Sequence, residues 1–242
     1  MSDATSLLTD AEHQQSVAER WEHLQSALPE KVQMLERLSR ANEAQLIRQA
    51  ARSSSMGKKV LWLRKAADEL QRKVLPVSAC RTGCSHCCHI SAVLTRAEAQ
   101  VIARETGAPL DAKAGRYSAA RNPDFETTRE LIGQQYYGQP CTFLAHGRCT
   151  IYEARPLACR LAISLDEDDL LCRITPAYTV NVPYLDVFEH QLYGVTILGA
   201  AQDFDDVRAW FPQGLGHGSS KRQPDGQTCT PPQKPPRKES EC

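Results

Sequence analysis

Apolar residues in positions 9–75 recur three or four residues apart, which is the period of amphipathic helices. Two series of them, separated by the segment SSSMG, consist of Val32, Leu35, Leu38, Leu46 and Ala50, and of Val60, Leu63, Ala67, Leu70 and Val74. The polar Asn42 interrupts the first series. We therefore predict an N-terminal helical arm over residues 1–75, with two or three helices packed as a hairpin, and we place Pro29 in the first turn of one of them.

Residues 76–211 mix extended and helical patterns. The segment ISAVL predicts a short extended run, and TRAEAQVIARETG predicts a helix. Thr95 and Glu98 fit a capping box at the start of this helix, and Gly107 fits its end. Two further helices are predicted over residues 111–121 and 125–137.

The second half of this part predicts a hairpin and a short helix. The segment PCTFLAHGRCTIY alternates around its central HG pair, so it predicts a β-hairpin with Cys141 and Cys149 near its two ends. The following EARPLACRL predicts a short helix that carries Cys159. Apolar and aromatic residues return over positions 184–210 and are expected to complete the core.

Residues 212–242 are dense in Pro, Gly, Ser, Gln and Lys, which predicts a disordered C-terminal tail. Cys229 and Cys242 within it are interpreted as solvent-exposed thiols. The predicted fold class is mainly α: the helical hairpin packs on a helix-rich cysteine domain, residues 76–211, which contains a small β-hairpin.

Charge and hydropathy narrow the classes of partner. The 242 residues contain 29 Lys and Arg against 29 Asp and Glu, so no net field attracts nucleic acid or an anionic membrane. The N-terminus lacks a basic region followed by an apolar run, and no apolar segment is long enough to span a bilayer. We expect a soluble, cytoplasmic protein with neither a nucleic-acid nor a membrane partner.

In a reducing cytoplasm, clustered cysteines indicate metal or redox chemistry more often than disulfides. The chain has ten cysteines, and the segment ACRTGCSHCCHI holds four of them. We predict metal ligation by the eight central cysteines, which are Cys80, Cys84, Cys87, Cys88, Cys141, Cys149, Cys159 and Cys172. Thiolates are soft ligands that suit zinc and iron-sulfur clusters.

Spacing indicates that the loop does not complete a site alone. Cys84 and Cys87 are separated by two residues, so they can curl around one metal atom. Cys87 and Cys88 are adjacent and project in different directions, so one of them faces a different centre or another side of the same one. The remaining ligands must come from cysteines that are distant in the sequence. Metal bound in this way would hold distant segments of the domain together, so loss of the metal is expected to unfold it.

Several residues near the cysteines receive weaker interpretations. His86 and His89 are read as neighbours of the site rather than ligands, because thiolate is in excess. The acidic run at positions 166–169 is read as a solvated turn, since it lacks the ligand spacing of a calcium loop. Three arginines are expected to offset the charge of a thiolate centre, with binding of an anionic substrate as the alternative; they are Arg155, Arg160 and Arg173.

The segments CRTGCSHCC and PCTFLAHGRCTIYEARPLACR together resemble the YkgJ-type cysteine-cluster family, also described as the CxxCxxCC zinc- or iron-chelating domain. The matching positions are Cys80, Cys84, Cys87, Cys88, Cys141, Cys149, Ile151, Tyr152, Arg155, Pro156 and Cys159. The resemblance implies binding of a metal ion or an iron-sulfur cluster. It does not extend to the arm or the tail, and the stretch before Cys172 departs from the family's aromatic-rich pattern.

Three functional classes follow. The first is a metal-binding protein that chelates, stores or delivers iron or zinc. The second is a metal-dependent enzyme, since relatives in the family include flagellin lysine methylases; a protein lysine methyltransferase would need S-adenosylmethionine, and the chain has no GxGxxG loop. The third is a structural zinc module whose N-terminal helices bind a protein partner. Eight thiolates suit two zinc sites or one cluster with spare cysteines, and we favour an iron-sulfur cluster over zinc.

Overall fold

The N-terminal arm consists of three α-helices in the computed structural model. α1 spans Asp10–Glu36, α2 spans Ala41–Arg52 and α3 spans Met56–Val74. α2 and α3 pack side by side, which confirms the predicted hairpin. The structure describes residues 10–81, 83–118, 121–122, 124–175, 179–199 and 201–216. Most of the predicted tail, from position 217 onward, lies outside these residues.

α1 leaves the hairpin and packs on the cysteine part of the chain. Leu24 is fully buried against Leu171, and Leu35 is buried in a cluster with Ile163. Pro29 lies inside α1 between these two contacts, so the prediction that it occupies a first turn is wrong. A proline inside a helix removes one backbone hydrogen bond. Burial of the turns on both sides of Pro29 compensates for that loss.

The cysteine part contains short elements joined by long irregular segments. Its described helices are α4 Arg96–Thr106, α5 Phe125–Tyr136, α6 Leu157–Leu161, α7 Phe188–Leu198 and α8 Val207–Trp210. Its described strands are β1 Val93–Thr95, β2 Tyr117–Ser118, β3 Leu144–Ala145, β4 Arg148–Cys149 and β5 Asp203–Asp206. The chain is therefore mainly α, as predicted. None of the described helices combines the length and the apolar character that crossing a bilayer requires.

Several of these elements were predicted correctly from short sequence patterns. α4 begins with the predicted capping box between Thr95 and Glu98, and Gly107 ends it with a φ of +73°. β3 and β4 form the predicted hairpin, which turns through His146 and Gly147 at φ values of +51° and +70°. A β-hairpin turn needs such positive φ values, and glycine adopts them without steric cost.

The helix predicted over residues 111–121 is wrong. Residues 111–116 are irregular, and they lead into β2, which pairs with the central strand β5 of an antiparallel sheet ordered β1, β5, β2. Gly115 has a φ of +85°, and a Cβ atom there would lie 2.7 Å from Trp210. Arg116 then forms an ion pair of 2.9 Å with the buried Asp205 of β5. These long-range contacts override the helical pattern of the segment.

Two hydrophobic clusters flank the cysteines. The first core includes Leu94, Ile102, Phe143, Trp210 and Phe211. The second core includes Leu35, Leu70, Ile163, Leu165 and Leu185. The arm contributes α1 and α3 residues to the second core, so the arm is a packing element of the cysteine domain.

The first residues assigned to the tail pack on the first core. Leu215 contacts this core, and a Cβ atom added to Gly214 would clash with the Thr142 carbonyl oxygen. The division of the chain into three parts, at residues 75 and 211, stays a prediction.

Glu98 links the start of α4 to the start of α6. Its carboxylate accepts hydrogen bonds from the Thr95 amide at 3.0 Å and from the Leu157 amide at 3.1 Å. Burial raises the pKa of this carboxyl, so desolvation offsets part of the stabilisation. We expect Glu98→Ala to lower the free energy of unfolding by about 1–3 kcal/mol, because two half-buried amides lose their acceptor.

Urea unfolding followed by circular dichroism measures this effect. Glu130→Ala is the matched control, because Glu130 is exposed on α5, and its effect is expected to stay within about 0.5 kcal/mol. Equal losses in the two variants would contradict the capping role of Glu98.

Candidate metal centre

The cysteine loop is held in tight turns by its own backbone. The Cys84 amide donates to the Arg81 carbonyl oxygen at 3.1 Å, and the Cys88 amide donates to the Ser85 carbonyl oxygen at 2.9 Å. His86–His89 form a 3₁₀ turn. Cys87 and Cys88 therefore occupy consecutive positions of one narrow turn, and their side chains leave the backbone in different directions.

Distant segments bring further cysteines to this loop. The Cys141 amide donates to the Cys88 carbonyl oxygen at 2.7 Å, which joins the start of the hairpin to the loop. Cys149 lies on β4 of the same hairpin, and Cys159 lies in α6. All eight cysteines in the described residues are free thiols and are half-buried.

Seven of the eight predicted ligands line one cavity of about 90 Å³. They are Cys80, Cys84, Cys87, Cys88, Cys141, Cys149 and Cys159. Cys172 lies elsewhere, in the wall of a second cavity of about 300 Å³ that Tyr184 and Ile90 also line. Within the described residues, no three Cys, His, Asp or Glu side chains are already arranged to hold a metal ion. The thiols surround the cavity without converging on one point, so coordination requires side-chain rotation.

The thiols differ in how readily they ionise. Burial raises the pKa of Cys80, Cys141, Cys149 and Cys159. By contrast, a hydrogen bond with Cys88 and, to a smaller extent, the charge of Arg155 lower the pKa of Cys87. Metals bind the thiolate form, so Cys87 is the thiol best prepared for ligation.

Arg155 is the one member of the predicted arginine trio that lines the cavity. It is buried, its Nη2 donates to the Gln71 Oε1 atom at 2.6 Å, and its guanidinium lies 3.8 Å from the centre of the Tyr152 ring. Its Nε is also buried and has no hydrogen-bond acceptor. A buried N–H without an acceptor is costly, and a charged group that entered the cavity could satisfy it.

The other two arginines stabilise the surroundings of the site. Arg160 is buried and binds the Asp68 carboxylate and the carbonyl oxygens of Glu153 and Arg155. Arg173 pairs with Asp169 at 3.2 Å on the surface. Neither of them lines the cavity, so the prediction that they neutralise a thiolate centre is not supported by direct contact.

The acidic run at positions 166–169 is a docking element, so its interpretation as a solvated turn is wrong. Asp166 is fully buried, and Arg20 of α1 binds it at 2.7 Å and Asp168 at 2.8 Å. Asp169 binds Arg81 at 2.9 Å and His86 at 3.1 Å. The run thus ties α1 and the cysteine loop to one segment.

His86 and His89 both have protein partners near the loop. His86 contacts Asp169, and the His89 Nδ1 atom lies 3.3 Å from the Ser85 carbonyl oxygen. Neither histidine lines the first cavity. Their interpretation as neighbours of the site stays a prediction.

Arg208, which no sequence pattern singled out, fixes the geometry of the loop. It is buried, pairs with the fully buried Asp206 at 3.0 Å, and lines the cavity. It also donates to the carbonyl oxygens of Cys88 at 3.0 Å, Ile90 at 3.2 Å and Gln139 at 2.6 Å. One guanidinium therefore holds the end of the cysteine loop beside the segment that leads to Cys141.

The described residues thus place a cavity surrounded by free thiols inside a helix-rich domain. Residues 79–180 match a family model described as "CxxCxxCC: Putative zinc- or iron-chelating domain". The match confirms, over this segment, the resemblance predicted from the cysteine pattern. It covers less than half of the chain and omits the N-terminal arm. Neither the curated proteins nor the solved structures compared with this chain gave a match.

Proposed function

We propose that the cysteine-lined cavity holds a thiolate-bound metal centre, preferably an iron-sulfur cluster, and that the protein chelates or delivers iron or zinc. The observation that carries the proposal is the gathering of seven free thiols around one cavity, from the cysteine loop, the β3–β4 hairpin and α6. Thiolates select zinc and iron-sulfur clusters over hard cations such as calcium and magnesium. Their rotation toward the cavity would supply the ligands.

The charges around the cavity support an anionic centre. Three arginines line it, namely Arg81, Arg155 and Arg208. Arg81 and Arg208 are paired with carboxylates, whereas the Arg155 Nε lacks an acceptor. Four thiolates around a metal carry net negative charge, and a buried N–H donor stabilises such sulfur atoms. Arg155 is therefore the residue that would hydrogen-bond to the bound centre.

The size of the cavity supports a cluster over a single ion. About 10–15 Å³ suffice for one water-sized body, and the cavity measures about 90 Å³. The seven lining cysteines are half-buried residues, whereas structural zinc sites are closed. Partial exposure supports chelation or delivery, because a bound metal remains accessible to an acceptor.

Metal and sulfide analysis of protein purified without oxygen tests the proposal. We expect iron and acid-labile sulfide, with a broad visible absorption, and loss of metal in Cys159→Ser. Cys242→Ser is the matched control and is expected to retain the full metal content. Full metal content in Cys159→Ser would contradict the proposal, and stoichiometric zinc in a colourless sample would replace the cluster with the structural zinc module.

The second cavity favours one alternative, a metal-dependent enzyme such as a protein lysine methyltransferase. This cavity of about 300 Å³ adjoins the cysteines through Cys172, and Tyr184 lies close enough to Cys80 and Cys87 for their charges to affect its pKa. Desolvation is the main reason that the Tyr184 pKa is raised, so the hydroxyl stays protonated and can donate a hydrogen bond.

Calorimetric titration with S-adenosylmethionine tests the enzyme alternative. Binding by the metal-loaded protein, weakened in Tyr184→Phe and unchanged in Tyr193→Phe on α7, would favour it. The absence of binding heat would leave chelation or delivery as the function.

A protein partner of the N-terminal helices is also proposed, and the exposed Val32 and Met34 of α1 support it.

A further inference from the structure

The second cavity has a buried apolar floor that α1 supports. Leu171 and Val180 line the cavity, and both are buried in one cluster with Leu24 of α1. Trp21 of α1 packs on the same cluster, and its Nε1 atom donates to the Asn181 carbonyl oxygen at 3.1 Å. Contacts from a long helix therefore hold this floor in place, so the cavity is formed without a ligand.

Backbone hydrogen bonds fix the walls of the second cavity. Tyr184 forms an antiparallel bridge with Ser164. The Gly138 amide donates to the His89 carbonyl oxygen at 2.8 Å, which holds the preceding Tyr137 close to the cysteine loop. Both tyrosines line the cavity and are exposed to solvent. They therefore lie at its open side.

The polar groups around the second cavity suit an anionic ligand. Among the described residues that line it, Arg173 is the only charged one, so none of them is a carboxylate. The hydroxyl groups of Tyr137 and Tyr184 and the side-chain amide of Asn181 can also donate hydrogen bonds. A cavity with an apolar floor and one guanidinium at its edge fits a molecule that combines an apolar body with an anionic group.

Arg173 has N–H donors to spare for such an anion. Its Nη2 atom donates to the Asp169 carboxylate at 3.2 Å, in a pair that lies on the surface. The same carboxylate binds Arg81 at 2.9 Å, and the two other aspartates of the acidic run pair with Arg20 instead. A guanidinium carries five N–H donors in a plane that matches a carboxylate. Asp169 therefore neither occupies all donors of Arg173 nor balances the charges of both arginines that it contacts.

We propose that the second cavity binds a small organic acid, whose carboxylate pairs with Arg173 and whose apolar body lies on the floor formed by Leu171 and Val180. A cavity of about 300 Å³ accommodates a small molecule of this kind. The inference does not depend on metal binding by the other cavity. It also differs from the enzyme alternative, because S-adenosylmethionine carries a sulfonium cation, and no described lining residue is a carboxylate that could pair with it.

Calorimetric titration of the protein as isolated, with octanoate as the probe, tests the inference. We expect octanoate to bind. Octylammonium has the same apolar body with a positive charge, and acetate lacks the apolar body, so neither is expected to give binding heat. Arg173→Gln is expected to weaken octanoate binding about tenfold or more, because a charge-assisted pair is lost. Arg129→Gln, which alters only an exposed pair with Glu126, is the matched control and is expected to bind as the wild type does.

The fluorescence of Trp21 locates the bound acid. The chain has three tryptophans, and the other two, Trp62 and Trp210, lie in other hydrophobic clusters. Octanoate is expected to change the emission of the wild type, and Trp21→Phe is expected to abolish that change. An unaltered response in Trp21→Phe would place the acid elsewhere and overturn the inference.

The remaining outcomes separate this inference from the proposed function. Equal binding of octanoate and octylammonium, or wild-type affinity in Arg173→Gln, would overturn it, because the apolar floor alone would then explain binding. No binding of octanoate at about 10 mM, or tighter binding of S-adenosylmethionine, would overturn it as well. The metal content of the same sample is measured in parallel. Octanoate binding by protein without metal would support this inference and overturn the proposed function, and metal without octanoate binding would do the reverse.

Discussion

Replacing Arg208 with Ala is expected to lower the free energy of unfolding by about 3–5 kcal/mol, the cost of breaking a buried ion pair from one side. Asp206 would remain fully buried without its cation. The carbonyl oxygens of Cys88, Ile90 and Gln139 would lose their shared donor at the same time. Because this donor holds the cysteine loop beside the segment leading to Cys141, metal content is expected to fall as well.

Denaturant unfolding of the metal-loaded protein, with metal analysis of the folded fraction, measures both effects of Arg208→Ala. Arg129→Ala is the matched control, because Arg129 forms only an exposed pair with Glu126. Its effect is expected to stay within about 0.5 kcal/mol. Arg208→Lys keeps the positive charge but not the planar set of N–H donors, so we expect a loss of stability that is smaller than that of Arg208→Ala. A loss below about 1 kcal/mol in Arg208→Ala would show that the loop is held by other contacts.

The correctly predicted parts of the fold are those that short stretches of sequence determine. The helical period of the arm, the Thr95 capping box and the hairpin turn at Gly147 each involve residues within a few positions of one another. The helix predicted around Gly115 was wrong because the conformation of this segment depends on contact with Trp210, which lies far along the chain. The position predicted for Pro29 was wrong for the same reason, since core contacts with distant residues hold the parts of α1 on both sides of it.

The residues of the candidate site also fall into those that local sequence predicts and those that depend on distant contacts. Cysteine clustering is a local and chemically specific signal, so the sequence identified the thiols that line the cavity. Arg208 and Cys88 are 120 positions apart, and no local pattern links them. The acidic run likewise looked solvated because its partner Arg20 is 146 positions away from Asp166. Residues that position a site through long-range hydrogen bonds carry no spacing that a sequence pattern can reveal.

Removal of the metal is expected to unfold the cysteine domain rather than to empty a site. The proposed ligands extend from Cys80 to Cys172 and stand between the two hydrophobic cores, so both cores lose a common attachment when the metal leaves. Structural metals in small domains contribute about 10–16 kcal/mol of apparent binding free energy. Because the stability of a whole domain is about 5–15 kcal/mol, the metal-free domain has little left to hold it together.

Circular dichroism and amide hydrogen exchange, recorded before and after chelation, measure this effect. We expect loss of protection in residues 80–172, while the hairpin of α2 and α3 keeps part of its helical signal, because α2 packs mainly on α3. Restoring the metal is expected to restore protection, which distinguishes metal loss from irreversible damage. Unchanged protection after complete metal removal would show that the hydrophobic cores suffice, and the metal would then be cargo rather than a structural element.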